Sequence, residues 1–270
     1  MTFSREKLLQ ELQLKTLFMA WQARDGSRAW FPIGKLDFDS EHSEFRFEYT
    51  GGALSAQERG FTPLVAFPKL DERYHSPELF PLFRNRLLSK NRPDFAEYIQ
   101  TLALSKQDSL DPLEVLAVSG GERVTDSLEM FPRIALKADR TFVTRFFVHG
   151  SRHLAQASLD RIATLKGGES LQISVEICNP ATGLAIQLQT DDYVMLGWSP
   201  RYLVEDLVKG IGANQCEMKA VLLQANGSSA PIEKKLLVEL RGCFPESIEP
   251  MNSLAYQPFA LANQLLPTAH

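Results

Sequence analysis

The residues of this chain with the clearest capacity for chemistry are cations and ring side chains that follow apolar segments. Arg152 and His153 come directly after one such segment, and Trp198, Arg201 and Tyr202 come after another. A guanidinium can hold a phosphate through charge-assisted hydrogen bonds, and an aromatic ring or an imidazole can stack on a base. These residue types predict a nucleic-acid-binding surface and not a catalytic centre.

A third turn opens at Asn179, which stands before Pro180. An Asn before Pro caps its own backbone about as often as it binds a ligand, so both roles stay open. Trp198 is expected to be a partly buried residue with one edge toward a ligand. Arg201 is the better phosphate candidate, because Pro200 stiffens the backbone ahead of it.

Residues 141–245 resemble the HIRAN domain, a small β-rich module. The resemblance rests on the segments Phe146–His153, Asn179–Pro180 and Gly197–Arg201. In that family the module grips the 3′-hydroxyl end of single-stranded DNA with a basic-aromatic pair and two further turns. The resemblance therefore implies a DNA-binding surface, for which we predict the residues Arg152, His153, Asn179, Trp198, Arg201 and Tyr202.

The second turn departs from the HIRAN pattern. Where the family has Pro-Tyr-Asp, this chain has Pro180, Ala181 and Thr182. The aromatic ring that would stack on a base and the carboxylate that would accept from the terminal sugar hydroxyl are both missing. We therefore expect weaker discrimination between a free and a blocked 3′ end.

The first half of the chain resembles the N-terminal subdomain of HipA-type toxin kinases. The resemblance covers about residues 20–133 and rests on four segments: Phe45–Tyr49, Thr62–Leu64, Leu79–Leu87 and Asp111–Leu116. The kinase body does not follow, because the sequence has no Gly-rich phosphate loop, no catalytic His-x-Asp loop and no metal-binding Asp set. We predict a non-catalytic protein of bacterial type, without cofactor or metal.

These resemblances and the hydrophobic patterns predict an α+β fold. Residues 1–137 are expected to form a HipA-N-like α+β domain, residues 138–245 a small β-barrel-like HIRAN domain with short helices, and residues 246–270 a C-terminal tail. The alternation in Glu44–Tyr49 is typical of a strand with one wet face. The other expected elements are a helix through Leu8 and Leu12, strands Thr16–Ala23, Trp30–Phe38, Leu64–Pro68 and Leu171–Ile177, and helices over Pro77–Leu104 and Asp111–Val118. Pro93 is expected to restart the first of these two helices, with Asn91 or Arg92 near the new start.

Composition limits the function further. The 270 residues include 29 Lys+Arg and 33 Asp+Glu, a net charge of −4, so the chain does not coat nucleic acid through bulk charge. The cysteines Cys178, Cys216 and Cys243 are far apart and odd in number, which indicates neither a disulfide framework nor a zinc site and favours a reducing cytoplasm. No apolar run is long enough for a signal peptide or a membrane span, so we expect no membrane partner.

A rival interpretation places function in the first half. Arg86 and Lys90 share a helical face and form a possible secondary basic patch, although a solvated helix surface is the more common reading. In this rival, the HipA-like half docks on and restrains a partner kinase or effector, as in toxin–antitoxin pairs. A basic groove around Arg152 and Arg201 favours DNA binding, whereas an exposed apolar patch on the first half favours a protein partner.

Overall fold

The computed structural model describes residues 14–105, 108, 111–123 and 125–265. They form a mixed α+β structure with two antiparallel sheets, which confirms the predicted class. The helix expected through Leu8 and Leu12 lies outside the described residues. The strands are β1 Leu14–Gln22, β2 Trp30–Asp39, β3 Glu44–Tyr49, β4 Arg73–Ser76, β5 Leu128–Pro132, β6 Thr141–Phe147, β7 Ser170–Asn179, β8 Gly183–Thr190, β9 Met195–Trp198, β10 Lys219–Ala225 and β11 Leu236–Cys243. The helices are α1 Gly52–Gln57, α2 Pro81–Arg84, α3 Phe95–Thr101, α4 Pro112–Ser119, α5 Gln156–Ile162, α6 Arg201–Ala213 and α7 Phe259–Leu265.

The chain divides into two compact units. The first unit is formed by the described parts of Met1–Lys90, Asp111–Arg133 and Asn252–His270, and the second by those of Asn91–Leu110 and Ile134–Met251. This division differs from the predicted ranges 1–137, 138–245 and 246–270. The described parts of 91–110, 134–137 and 246–251 group with the second unit, and those of 252–270 group with the first. For 91–110 the reason is local: Gln224 and Asn226 donate to main-chain carbonyls at the end of α3.

The first unit is built on a sheet in the order β4-β3-β2-β1-β5. The expected alternation of β3 is confirmed, because Phe47 and Tyr49 are fully buried on one face. The other face is less wet there than expected, because Glu48 is buried and makes ion pairs with Lys35 at 3.1 Å and with Arg73 at 2.8 Å. Alternate residues of a strand point to opposite faces, and directly opposite residues of paired strands share a face. Glu48 therefore lies beside Lys35 of β2 and Arg73 of β4.

One expected strand of the first half is wrong, and one expected helical segment is shorter than predicted. Residues 64–68 form a turn and not a strand, because the Tyr49 hydroxyl takes their main-chain hydrogen bonds: it accepts from Leu64 N at 2.7 Å and donates to Phe67 O at 2.8 Å. The helical segment over Pro77–Leu104 is interrupted before Phe95, as the restart at Pro93 predicted, but it forms only two short helices, α2 and α3. The sequence also did not predict β4, a short strand at the sheet edge.

The helix expected over Asp111–Val118 is confirmed as α4. Asp111 caps it, since its carboxylate accepts from Leu113 N at 2.8 Å. The helix ends at Gly120, whose φ of 74° is the left-handed conformation that suits glycine at this position. Both ends of α4 could therefore be read from the sequence.

The second unit holds a sheet in the order β6-β11-β10-β7-β8-β9. Helix α6 packs on β8 and buries Leu203, Val204 and Leu207. The expected barrel-like form is not reached, because the sheet is not closed: β6 and β9 are its two ends, and the His149–Trp198 pair that joins the chain after β6 to β9 is an isolated bridge and not a continuous ladder.

A disulfide joins Cys216, just after α6, to Cys243 at the end of β11. The sequence prediction of no disulfide was therefore wrong, because residues 27 positions apart lie with their Cα atoms 5.9 Å apart once α6 has folded back on the sheet. Cys178 remains a free, exposed thiol. In the described ranges, we find no helix whose length and apolar character would let it cross a membrane.

Candidate nucleic-acid interface

The turn after β6 presents the first predicted pair of binding residues. Gly150 has a φ of 75°, and a short 3-10 helix follows over Ser151–His153. Ser151 is buried and its hydroxyl donates to Leu196 O at 2.9 Å, which anchors this turn to β9. Arg152 and His153 are exposed, and Arg152 Nε donates to His153 Nε2 at 3.1 Å. The two side chains thus lie together on the surface.

Trp198 connects this turn to β9. Its main chain exchanges two hydrogen bonds with His149, at 2.8 and 2.9 Å. A Cβ added to Gly150 would lie 2.5 Å from Trp198 Cε3, so the ring covers the glycine directly. Nε1 donates to Glu176 Oε2 at 2.7 Å. Trp198 is therefore a half-buried residue that holds two turns together, the structural role that the sequence left open.

Asn179 also has its polar atoms engaged. Its Oδ1 accepts from Ala181 N at 3.0 Å and Thr182 N at 3.1 Å, which closes the turn between β7 and β8. Its Nδ2 donates to Glu176 Oε2 at 3.0 Å. Hydrogen bonds from Asn179 and then Trp198 lower the pKa of Glu176, so this carboxylate is ionised at neutral pH. Asn179 and Trp198 share one acceptor and fix two turns relative to each other.

Arg201 and Tyr202 open helix α6 behind Pro200, and both side chains are half-buried. The sequence did not predict this helix and treated the segment as a turn. Pro200 has a ψ of 141°, an extended conformation that turns the chain from β9 into α6. Arg201 thereby comes close to His149, since its positive charge contributes to the low pKa of that imidazole.

His149 and Lys234 are two residues of this region that the sequence did not predict. Lys234 stands on a 3-10 helix, Ile232–Lys234, that lies against Ser151–His153, and its Nζ is 4.8 Å from the centroid of the Phe147 ring. Burial first, and then the charges of Lys234 and Arg201, lower the pKa of His149 to about 4. The imidazole of His149 is therefore neutral at pH 7, and cations from two separate segments contribute to this state. The sequence signal for Lys234 was only a Lys-Lys pair ahead of β11.

The secondary patch predicted from Arg86 and Lys90 does not form as expected. Lys90 is exposed, but Arg86 is buried: its guanidinium pairs with both carboxylate oxygens of Asp126 and donates to Gly121 O at 2.8 Å. Arg86 Nε has no hydrogen-bond partner among the described residues. A buried ion pair removes this charge from the surface, so Arg86 cannot contact a phosphate there.

One group in the first unit has the residue types of a metal site. Ligand atoms of Asp39, Glu41 and His42 lie within 4.8 Å of one another. Asp39 Oδ2, however, already meets Arg46 NH2 at 2.6 Å and His42 Nδ1 at 2.8 Å. A metal ion would have to displace both, so this cluster is better described as an ion-pair network.

Comparisons with known proteins leave the family of the chain open. No protein-family model matches the chain, and no curated protein matches its sequence. A solved structure of a protein from Lactobacillus plantarum, determined by a structural genomics consortium, is 17% identical with a TM-score of 0.31; the similarity covers 39% of this chain and 99% of that one. At this TM-score the likeness carries no argument about function.

Proposed function

We propose that the second unit is a non-catalytic module that binds single-stranded DNA or DNA ends. The observation that carries this proposal is the convergence of cations from three chain segments around the turn after β6. Arg152 is exposed on the turn itself, and the charges of Lys234 and Arg201 both contribute to the lowered pKa of His149. Cations near the exposed imidazole of His153 are suited to a phosphate backbone with a neighbouring base.

The residues divide into those that contact DNA and those that position them. Arg152, Arg201 and Lys234 bind phosphates, and His153 stacks on a base. Tyr202 adds a ring beside Arg201. Trp198 and Asn179 are positioning residues in this proposal, because Glu176 and the main chain of the turns occupy their polar atoms. The resemblance to HIRAN domains supports the same surface, although the chain lacks that family's Tyr-Asp pair.

Fluorescence anisotropy with a labelled single-stranded oligonucleotide tests the proposal. Arg152→Ala, Arg201→Ala and Lys234→Ala are each expected to weaken binding by about 1–3 kcal/mol, since each removes a charge-assisted phosphate contact. The matched control is Lys219→Ala, an exposed cation that already pairs with Glu217 at 3.2 Å. Binding should weaken only gradually with salt, because few phosphates are contacted. Unchanged affinity in all three variants would remove DNA binding from this surface.

A second candidate is docking of the first unit on a partner kinase or effector. Leu261 and Leu265 favour it, because they are one turn apart on α7 and are 44% and 58% exposed. Exposed leucines on one helical face are suited to an apolar partner surface. The test is inhibition of a HipA-type kinase by the purified chain. Inhibition that is lost in Leu261→Ser/Leu265→Ser, but kept in Arg152→Ala, would favour this candidate over DNA binding.

A further inference from the structure

Strand β7 leaves most of one edge unpaired by the described strands. It spans ten residues, Ser170–Asn179, yet only Ser170 and Leu171 pair with β10. On its other side β7 pairs with β8 along nearly its whole length. An edge of this kind offers a row of main-chain donors and acceptors to another strand.

The main chain of Val175 points to this free edge. Ser199 N donates to Ile186 O at 2.9 Å, so the peptide groups of Ile186 are directed toward the β9 side of β8. Ile186 stands opposite Val175 on β7. In an antiparallel pair, opposite residues that do not bond each other direct their N–H and C=O outward. The same alternation directs the main chain of Ile173 to the free edge.

The side chains along the edge have a distinct chemistry. Ile173, Val175 and Ile177 alternate along one face of β7, and Val175 and Ile177 are 39% and 75% exposed. Leu184 of β8 extends this apolar row and is 38% exposed. The opposite face carries the ionised Glu176, which makes hydrogen bonds but has no ion pair among the described residues.

We propose that this edge docks an extended segment of another protein in which a Lys or Arg lies between two apolar residues. The segment adds a strand beside β7 and bonds the outward main chain of Val175. Residues directly opposite each other on paired strands lie on the same face, and successive pairs alternate between the two faces. The apolar residues of the segment therefore cover Val175 and Ile177, and its cation faces Glu176. The segment is basic because a cation complements Glu176. It alternates in hydrophobicity because its other residues cover the apolar face of β7.

A second copy of β7 fits the edge less well. In an antiparallel pairing centred on Val175, Asn179 of the second copy would face Leu171, where β10 already pairs. In a pairing centred on Glu176, two glutamates would face each other, which is unfavourable. A different chain avoids both problems, because it brings neither the β7–β8 turn nor a second Glu176.

The direct test uses a blocked, labelled peptide with a Val-Lys-Val core flanked by threonines. Fluorescence polarisation should show binding to the full chain, and amide hydrogen exchange at Val175 should slow in the complex. Ile177→Lys should weaken binding about tenfold or more, because a lysine blunts an apolar edge. Val65→Lys is the control: Val65 is 100% exposed in the first unit, and this change should leave affinity unaltered.

Three outcomes would overturn the proposal. The first is slow exchange of the Val175 amide in the free chain, which would mean that the edge is already covered. The second is equal binding of the peptide whose core Lys is replaced by Glu, or of a peptide N-methylated at its core, because neither could make the required contacts. The third is self-association of the chain that Ile177→Lys abolishes, since this would assign the edge to a second copy. DNA affinity is measured separately, so the two proposals can fail independently.

Discussion

Glu176 is the residue on which the turns of the candidate interface depend. It accepts hydrogen bonds from Trp198 and Asn179, which come from different strands of the second unit. A single carboxylate thereby orients an indole and closes a turn, while it stays ionised. Polar atoms of Trp198 and Asn179, two residues that the sequence predicted as ligand contacts, are thus engaged within the protein.

The first prediction at the residue scale concerns DNA ends. Ala181 and Thr182 provide neither a ring nor a carboxylate, so an oligonucleotide with a 3′-phosphate should bind about as tightly as one with a free 3′-hydroxyl. A hydrogen bond to a charged group contributes about 1.5–3 kcal/mol, and this contribution is the one that the chain lacks. Anisotropy with the two oligonucleotides measures it. If the free hydroxyl is strongly preferred and Glu176→Gln abolishes the preference, Glu176 has taken over the role.

The second residue-scale prediction follows from His149. Its pKa is lowered from 6.5 to about 4, so between these values the unfolded chain binds more protons than the folded one. Stability should therefore be complete above pH 6.5 and decrease as the pH falls toward 4, by at most about 1.4 kcal/mol per pH unit. Urea unfolding across this range measures it. His149→Gln should flatten the profile; equal profiles for the wild-type protein and this variant would contradict the assignment.

At the scale of elements, α6 is held at both ends. Its first residue, Arg201, follows the extended Pro200, and its C-terminal end leads to Cys216 and the disulfide with Cys243. Between them, Asp206 is buried and accepts from Met251 N at 3.1 Å. The helix that carries Arg201 is therefore attached to the sheet and to the segment after β11.

This attachment predicts a measurable effect of reduction. Cys216→Ser/Cys243→Ser should lower the free energy of unfolding by about 2–4 kcal/mol, as for a disulfide that closes a loop of this size. The wild-type protein with a reductant should behave like the double variant. Cys178→Ser, which changes an exposed free thiol, is the control and should leave stability unchanged. Equal stability of the wild-type protein with and without reductant would show that the bond contributes nothing.

At the scale of the whole molecule, the net charge and the kinase motifs missing from the sequence bear on the proposed function. The net charge of −4 leaves DNA binding to a few placed cations. The parts that hold magnesium and transfer phosphate in kinases are missing from the sequence. The affinity of the proposed binding module therefore depends on the geometry of those cations more than on total charge.

The whole-molecule prediction is that the purified chain neither hydrolyses ATP nor phosphorylates protein. Incubation with labelled ATP measures both activities, with an authentic protein kinase in the same buffer as the positive control. The physical reason is the missing phosphate-binding and metal-binding groups. Turnover that co-elutes with the protein through repeated purification would reveal a site that the sequence did not indicate.

The sequence by itself determined the elements whose signals are local. The alternation of β3, and the Asp111 cap and Gly120 end of α4, depend on side-chain period and on backbone conformation within a few residues. The exposed pair Arg152 and His153 after β6 could be found for the same reason, since a glycine turn follows an apolar run.

Tertiary structure alone decided what depends on residues distant in sequence. Tyr49 holds residues 64–68 in a turn, and Asp126 buries Arg86, although neither partner is visible in the local pattern. Lys234 reaches His149 only because β11 returns beside β6. The disulfide and the unpaired edge of β7 arise in the same way. Long-range pairing sets which backbone groups and charges meet, and no local periodicity encodes that choice.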